Sequence, residues 1–555
     1  MHIDRSKLVG VVDEGTNVAQ FIIYKIPEFE EVASHQQEVK IYTPREGWVE
    51  QDPLEILDTV RICMKKACDK LSALDYNIKD IVCVGITNQR ETTVVWDKTT
   101  GKPLYHAIVW NDIRTDETVD QILAKLPEQN KNYFKSISGL TISPYFSALK
   151  LRWLQDNISS VKKACKEKKC LAGTIDSWLI WNLTGGVKGG LHVTDVTNAS
   201  RTLLMNIETL NWDPLLTKTF SVHPSILPEI RSSSEIIAPI NDGGVLNGVP
   251  ISGILGNQQS SLVGQMCLKP GMTKNTYRSG CFLLCNTGEQ KVLSTHGLVT
   301  TVAYKLGKDK PAVYALEGSV AVAGSALKWL QKNLKILGNI EDSEQLAGSV
   351  FSTGDVYFVP SFTGLYAPYW RKDARGIICG LTGFTNKNHL IRATLEAVCF
   401  QTRDILEAMN LDCGLNLNKM NADGKLSRNS LLMQLQSDLC GIPIFRAQHQ
   451  DTTALGVAMV AANAEGINAF VLKPDTRLTN HLQDTFLPTT TEAERNFRYK
   501  KWKMAVQRSL GWAVTKKSEA MTDERFRMLA SIPCSLFVIT SFILLALSRN
   551  PTRLT

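Results

Sequence analysis

Leu8-Val-Gly-Val-Val-Asp-Glu-Gly-Thr16 runs from apolar and small residues into a carboxylate, a glycine and a hydroxyl, and Phe21-Ile-Ile-Tyr24 follows closely. Two short β-rich runs this close predict a hairpin with a polar loop at its tip. Downstream, Asp52-Pro53 supplies a helix cap and a first-turn proline, and Leu57, Val60, Met64, Ala67 and Leu71 recur at three- and four-residue spacing. That pattern predicts an amphipathic helix. Ile81-Val-Cys-Val-Gly-Ile86 reads as a buried strand delivering Asn88-Gln89-Arg90-Glu91 at its carboxyl end, where α/β proteins place their clefts. The device returns at Pro250-Ile-Ser-Gly-Ile-Leu-Gly256, a strand leading into Asn257-Gln258-Gln259 and a small-residue helix, so a second lobe is expected. Thr276 to Leu284 adds a loop and strand, and Gly318 to Trp329, Asn388 to Met409 and Thr452 to Ala464 read as helices.

At 555 residues the chain exceeds one ordinary core, and 44% hydrophobic with 21% charged residues is the composition of a globular α/β protein. The net charge of +8 is dispersed, which argues against a nucleic-acid partner. Thirteen cysteines, an odd number scattered through apolar stretches, read as free thiols in a reducing compartment. Cys165 and Cys170 lack a second pair at zinc-ligand spacing. No secretory signal is expected from Met1 to Lys7. After a polar stretch from Thr515 to Arg527, Ile532 to Leu547 is nearly uncharged, with Arg549 and Arg553 beyond it. As a helix this run rises roughly 24 Å, short of a typical hydrocarbon core of about 30 Å. It is expected to anchor the chain to the mitochondrial outer membrane facing the cytosol; the competing reading docks it on the second lobe.

Longer motifs carry a resemblance. They are Asn88-Gln-Arg-Glu-Thr-Thr-Val-Val-Trp96, Tyr145 to Asn157, Gly173-Thr-Ile-Asp-Ser-Trp178, Thr194-Asp-Val-Thr-Asn-Ala-Ser-Arg201 and Gly364-Leu-Tyr-Ala-Pro-Tyr-Trp370. In order and spacing the chain resembles the FGGY carbohydrate kinases, and within them the glycerol kinases, from about residue 8 to 512. The resemblance implies two actin-like (ribonuclease H-like) α/β ATPase lobes, 8–262 and 263–512, with an interlobe cleft, then a linker 513–531 and the apolar tail 532–547. It implies ATP and Mg²⁺ as cofactors, glycerol as substrate, lobe closure and homo-oligomers. By resemblance Arg90, Glu91, Tyr145 and Gln258 hydrogen-bond the polyol, and Trp110 and Phe282 wall its carbons. Asp13 is the metal ligand, and Gly15, Thr16, Gln20, Ser279, Gly280, Gly424, Lys425 and Asn429 lie at the nucleotide.

Four positions depart from the family pattern. Asn17-Val-Ala-Gln20 replaces a hydroxyl-rich segment ending in Arg. Asn257 stands where the family has the Asp that accepts the proton of the attacking hydroxyl. Arg278-Ser279-Gly280 replaces Gly-Thr-Gly, which predicts backbone strain if the first position needs positive φ. Lys425 replaces a glycine, which predicts a long side chain where the purine would lie. The expected function is therefore a glycerol kinase-like protein with strongly impaired or absent turnover and a binding or organising role at the mitochondrial surface. The alternative is an active ATP-dependent glycerol kinase of glycerol uptake and glycerolipid metabolism.

Overall fold

The computed structural model describes residues 7–414, 417–447, 451–476 and 483–513. The expected anchor at 532–547 lies outside the described residues, as does nearly all of the expected linker.

Two sheets organise the chain. The first contains β1 (Leu8–Glu14), β2 (Val18–Lys25), β3 (Glu30–Glu38), β4 (Ile81–Asn88), β5 (Ser234–Pro239) and β6 (Pro250–Gly256), in the order β5-β6-β4-β1-β2-β3. β1 and β2 form the antiparallel hairpin expected from the opening run, and β4 and β6 join it in parallel. Helix α1 (Pro53–Ala73) covers this sheet with Ile56, Leu57, Val60, Cys63, Met64, Ala67 and Leu71. Asp52 caps it by accepting a hydrogen bond from the Leu54 N–H, as its sequence predicts.

The second sheet contains β7 (Thr273–Tyr277), β8 (Cys281–Gly288), β9 (Val299–Lys305), β10 (Ala312–Val320), β11 (Met420–Asp423), β12 (Ile444–Ala447) and β13 (Gln483–Phe486), in the order β9-β10-β8-β7-β11-β12-β13. Again antiparallel strands come first and parallel β11 and β12 are added beside the first of them.

Helices α2 (Asn257–Gly264) and α5 (Thr452–Asn463) join the halves, while α3 (Gly324–Lys332) and α4 (Lys387–Cys413) flank the second sheet. Although α5 comes late in the chain, it packs on the first sheet. Ser234 and Ser252 donate to the Val460 and Ala461 carbonyls at 2.8 and 2.9 Å, and a Cβ on Gly253 would meet Ala461 backbone at 2.8 Å. Glycine at 253 lets helix and strand approach this closely.

In-register pairing aligns Glu14 with Asn88 and Asn88 with Gly256, so three sequence motifs emerge side by side at one sheet edge. Thr276 aligns with Asp423 in the second sheet, bringing the loops that begin at Arg278 and Gly424 together.

Candidate active site

At the end of β4 the backbone turns sharply. Glu91 sits in the left-handed region at φ 59°, and its carbonyl accepts hydrogen bonds from Thr93 Oγ1 and Ser147 Oγ at 2.9 and 3.2 Å. A non-glycine residue held there by its surroundings marks a place where strain is tolerated to aim side chains. Arg90 forms a fork to Glu317, Nη1 to Oε2 at 2.6 Å and Nη2 to Oε1 at 2.7 Å, and donates to Gln259 Oε1 at 3.1 Å. Arg201 closes the ring, with Nε donating to Glu91 Oε1 at 2.6 Å and Nη2 lying 3.2 Å from Glu317 Oε1. All four charged side chains are buried. Burial alone would push the Glu317 carboxyl up, but Arg201 and Arg90 more than offset it and hold it at about 2.

Beside this ring the aromatic residues gather. Trp110 stands edge-on to both Tyr145 and Phe282, each centroid 5.8 Å away, and the Arg90 guanidinium lies 5.8 Å from the Phe282 ring. Trp110 Nε1 donates to Thr16 Oγ1 at 3.0 Å, tying the wall to the β1–β2 loop. Arg90, Glu91, Trp110, Tyr145 and Phe282 thus lie together at one place in the structure. Gln258, on the first turn of α2, is buried and connects differently: Lys274 Nζ donates to its Oε1 at 2.6 Å and to Thr276 Oγ1 at 2.9 Å. That contact turns the Gln258 amide N–H₂ away from Lys274. Burial lowers the Lys274 ammonium to about 7.

Glu317, Arg201, Gln259 and Lys274 were not among the residues expected from sequence. Arg201 lay within a quoted motif, and Lys274 is visible as a charge inside a strand. Glu317, 227 residues from Arg90, carries no local signal.

In the loop that the resemblance assigns to the nucleotide, Gln20 Nε2 donates to Asp13 Oδ2 at 2.9 Å, while the buried Oδ1 has no hydrogen-bond partner among the described residues. Burial raises the Asp13 pKa, with Arg278 and the Gln20 hydrogen bond acting against it. Gly15 closes the loop by donating to the Val18 carbonyl at 2.9 Å. Asn257 opens α2 directly after Gly256, whose N–H donates to Thr197 Oγ1 at 2.9 Å. It therefore stands at a strand end and a helix N-terminus together.

Two expectations are corrected. Arg278 is not strained: its φ is not positive, and its N–H donates to the Gly280 carbonyl at 2.9 Å in an ordinary tight turn. The position in that turn with no room for a side chain is Gly280, where a Cβ would meet the Val320 carbonyl oxygen at 2.5 Å. Nor does Lys425 fill the space beside the loop. Its side chain is 80% exposed and its ammonium lies 3.7 Å from Glu341. The special conformation belongs to Gly424, at φ 89° and packed against Tyr277 backbone. Asn429 caps the helix Ser430–Cys440, accepting from the Leu432 N–H at 2.8 Å, and the exposed Ser279 has its carbonyl tied to α3 through Ala323 and Ser325.

Two lobes built on similar sheets thus meet with a polar ring, an aromatic wall and two glycine-bearing loops at their junction. The models of the FGGY family of carbohydrate kinases match both halves, the N-terminal domain over residues 8–264 and the C-terminal domain over 276–465. A glycerol kinase of Arabidopsis thaliana is 47% identical over 516 residues, covering 91% of this chain and 98% of the relative. One from Brucella anthropi is 48% identical, covering 91% and 99%. The crystal structure of Plasmodium falciparum glycerol kinase with ADP superposes at a TM-score of 0.81 with 37% identity, covering 91% of this chain and 98% of that one. A gluconate kinase from Lactobacillus acidophilus, at 21% identity and a TM-score of 0.76, shares the fold. The chain belongs to the FGGY family of carbohydrate kinases and, within it, to the glycerol kinases.

Proposed function

We propose that this cleft binds glycerol and ATP and transfers the terminal phosphoryl group to a glycerol hydroxyl, at a rate lowered by the carboxamide of Asn257. The observation that carries this reading is the aromatic wall of Trp110, Tyr145 and Phe282 set against the fixed Arg90–Glu91 pair. A three-carbon triol needs such a site, with an apolar face for its carbons and rigid polar groups for its hydroxyls. The named glycerol kinases, matched over nearly their whole lengths, support the same substrate and nucleotide.

Each side chain then has a task. Arg90 and Glu91 are locked by Glu317 and Arg201, so they reach the hydroxyls without losing freedom on binding. Lys274 sets the Gln258 amide. Gly280 and Gly424 let their loops pack on the Val320 and Tyr277 backbone, which fixes the shape those loops offer the nucleotide. The Asp13 oxygen that has no hydrogen-bond partner among the described residues fits Mg²⁺, which Asp13 would hold and which would supply positive charge at the phosphates. Asn257 is at the place for a general base but cannot take a proton at pH 7. Loss of that help costs roughly two to four powers of ten in rate.

The reaction is tested with γ-labelled ATP and the purified chain, offering glycerol, gluconate or xylulose. Label in glycerol 3-phosphate is expected; preferential labelling of either larger substrate would refute the assignment. A second reading is a glycerol-binding protein without turnover, held at the cytosolic face of the mitochondrial outer membrane. Asn257 and the apolar run 532–547 favour it, and it requires glycerol binding with no labelled product.

A further inference from the structure

Arg278 occupies the turn between β7 and β8 in an unstrained conformation, and that turn is rigidly held. The Gly324 N–H donates to the Arg278 carbonyl at 3.1 Å, and the Ala323 and Ser325 N–H groups donate to the Ser279 carbonyl at 2.9 and 3.1 Å. A Cβ on Gly324 would meet the Arg278 carbonyl oxygen at 2.6 Å, so α3 and the turn are closely fitted. The side chain, only partly exposed, leaves this turn and crosses toward α5, where Nη2 lies 3.4 Å from Thr453 Oγ1. Its charge is the foremost influence opposing burial at Asp13, which belongs to the other lobe, and Asp451 at the start of α5 acts on the same carboxylate. Arg278 therefore reaches the first turn of α5 across the junction, within electrostatic range of Asp13, whose hydrogen-bond partner Gln20 contributes no charge.

We propose that Arg278 is the cation of the phosphate subsite, its guanidinium binding the polyphosphate oxygens of the nucleotide from the second lobe. This rests on the nucleotide cleft proposed above. A guanidinium presents several N–H donors in a planar fork that suits phosphate, and a hydroxyl partner at 3.4 Å is readily exchanged for a charged one. The substitution that reads as damage in the sequence then supplies the positive charge absent from Gln20.

The test uses the full chain without Mg²⁺, in chelator, and inorganic tripolyphosphate as the probe. Calorimetric titrations are compared for the unaltered protein, Arg278→Gly and Arg278→Lys, each also titrated with glycerol. Arg278→Gly is expected to weaken tripolyphosphate binding about tenfold and reduce its salt dependence, while Arg278→Lys retains most of the affinity. Unchanged or tighter binding by Arg278→Gly would overturn the proposal and make Arg278 a counter-charge to Asp13. Absence of tripolyphosphate binding by the unaltered chain would overturn it too. The glycerol titration separates the two levels: with glycerol still bound, the polyol reading stands; with neither ligand bound, the reading of the cleft falls as well.

Discussion

Replacing Asn257 by Asp restores a carboxylate without changing side-chain size. The residue opens α2, and the backbone around it is held by Gly256 donating to Thr197 and by Gln259 on Arg90, contacts the exchange leaves alone. A negative charge at a helix N-terminus is favourable by about 0.3–1 kcal/mol, so stability should change little. If the missing base limits turnover, kcat rises by roughly two to four powers of ten. At about 1.4 kcal/mol per decade, this lowers the barrier by about 3–5 kcal/mol. Because Arg278 and Lys425 are accommodated, this single exchange carries most of the recovery. The assay is glycerol-dependent ADP formation at saturating glycerol and ATP, run across pH. The variant should gain a rate limb that falls at acid pH as the new carboxylate protonates. A variant that binds both ligands yet turns over no faster than the parent would show that the carboxamide at 257 does not limit turnover.

Glu317→Gln leaves Arg90 and Arg201 buried without their shared carboxylate and should cost about 3–5 kcal/mol by urea denaturation; a loss below about 1 kcal/mol would count against the ring. The Glu317 contribution is also pH-dependent: it is complete above its ordinary 4.5 and is lost as pH falls toward 2. Lys274 acts in the same sense at higher pH, because its folded value of about 7 lies below the ordinary 10.5 and the unfolded chain binds the extra proton between them. Wild-type stability should therefore rise relative to Lys274→Met as pH goes from about 7 to 10, and a constant difference would contradict the burial of that ammonium. Lys425→Ala should leave ADP affinity within about twofold, since its side chain is solvent-exposed. The anchor proposed for 532–547 is checked by alkaline carbonate extraction of the full chain and a version ending at Arg527, of which only the full chain should stay with membranes.

Much of this was legible in the sequence because it is local. The β1–β2 hairpin, the Asp52-Pro53 start of α1 and the polar residues after β4 and β6 each follow from neighbouring residues. Their assembly does not: the sequence makes Pro250–Gly256 open a second lobe, whereas parallel pairing with β4 sets it in the first sheet. What was hidden depends on distant partners. Nothing near Glu317 signals that it meets Arg90 and Arg201, and the evenly apolar α5 announces burial without naming the sheet it covers. Arg278 and Lys425 were misjudged for a related reason. Gly280 and Gly424 take the conformations and close contacts that exclude side chains, leaving their neighbours free, and that division is set by Val320 and Tyr277 across the fold.

We infer that a polyol site built for glycerol persists beside slowed phosphoryl transfer. Calorimetric titration of the unaltered chain with glycerol, with turnover measured on the same preparation, tests it most directly. Saturable binding that Arg90→Ala abolishes is expected, with turnover at least a hundredfold below the roughly 1–100 per second common among kinases. Folded protein that gives a flat glycerol titration, or turnover within that ordinary range, would contradict it.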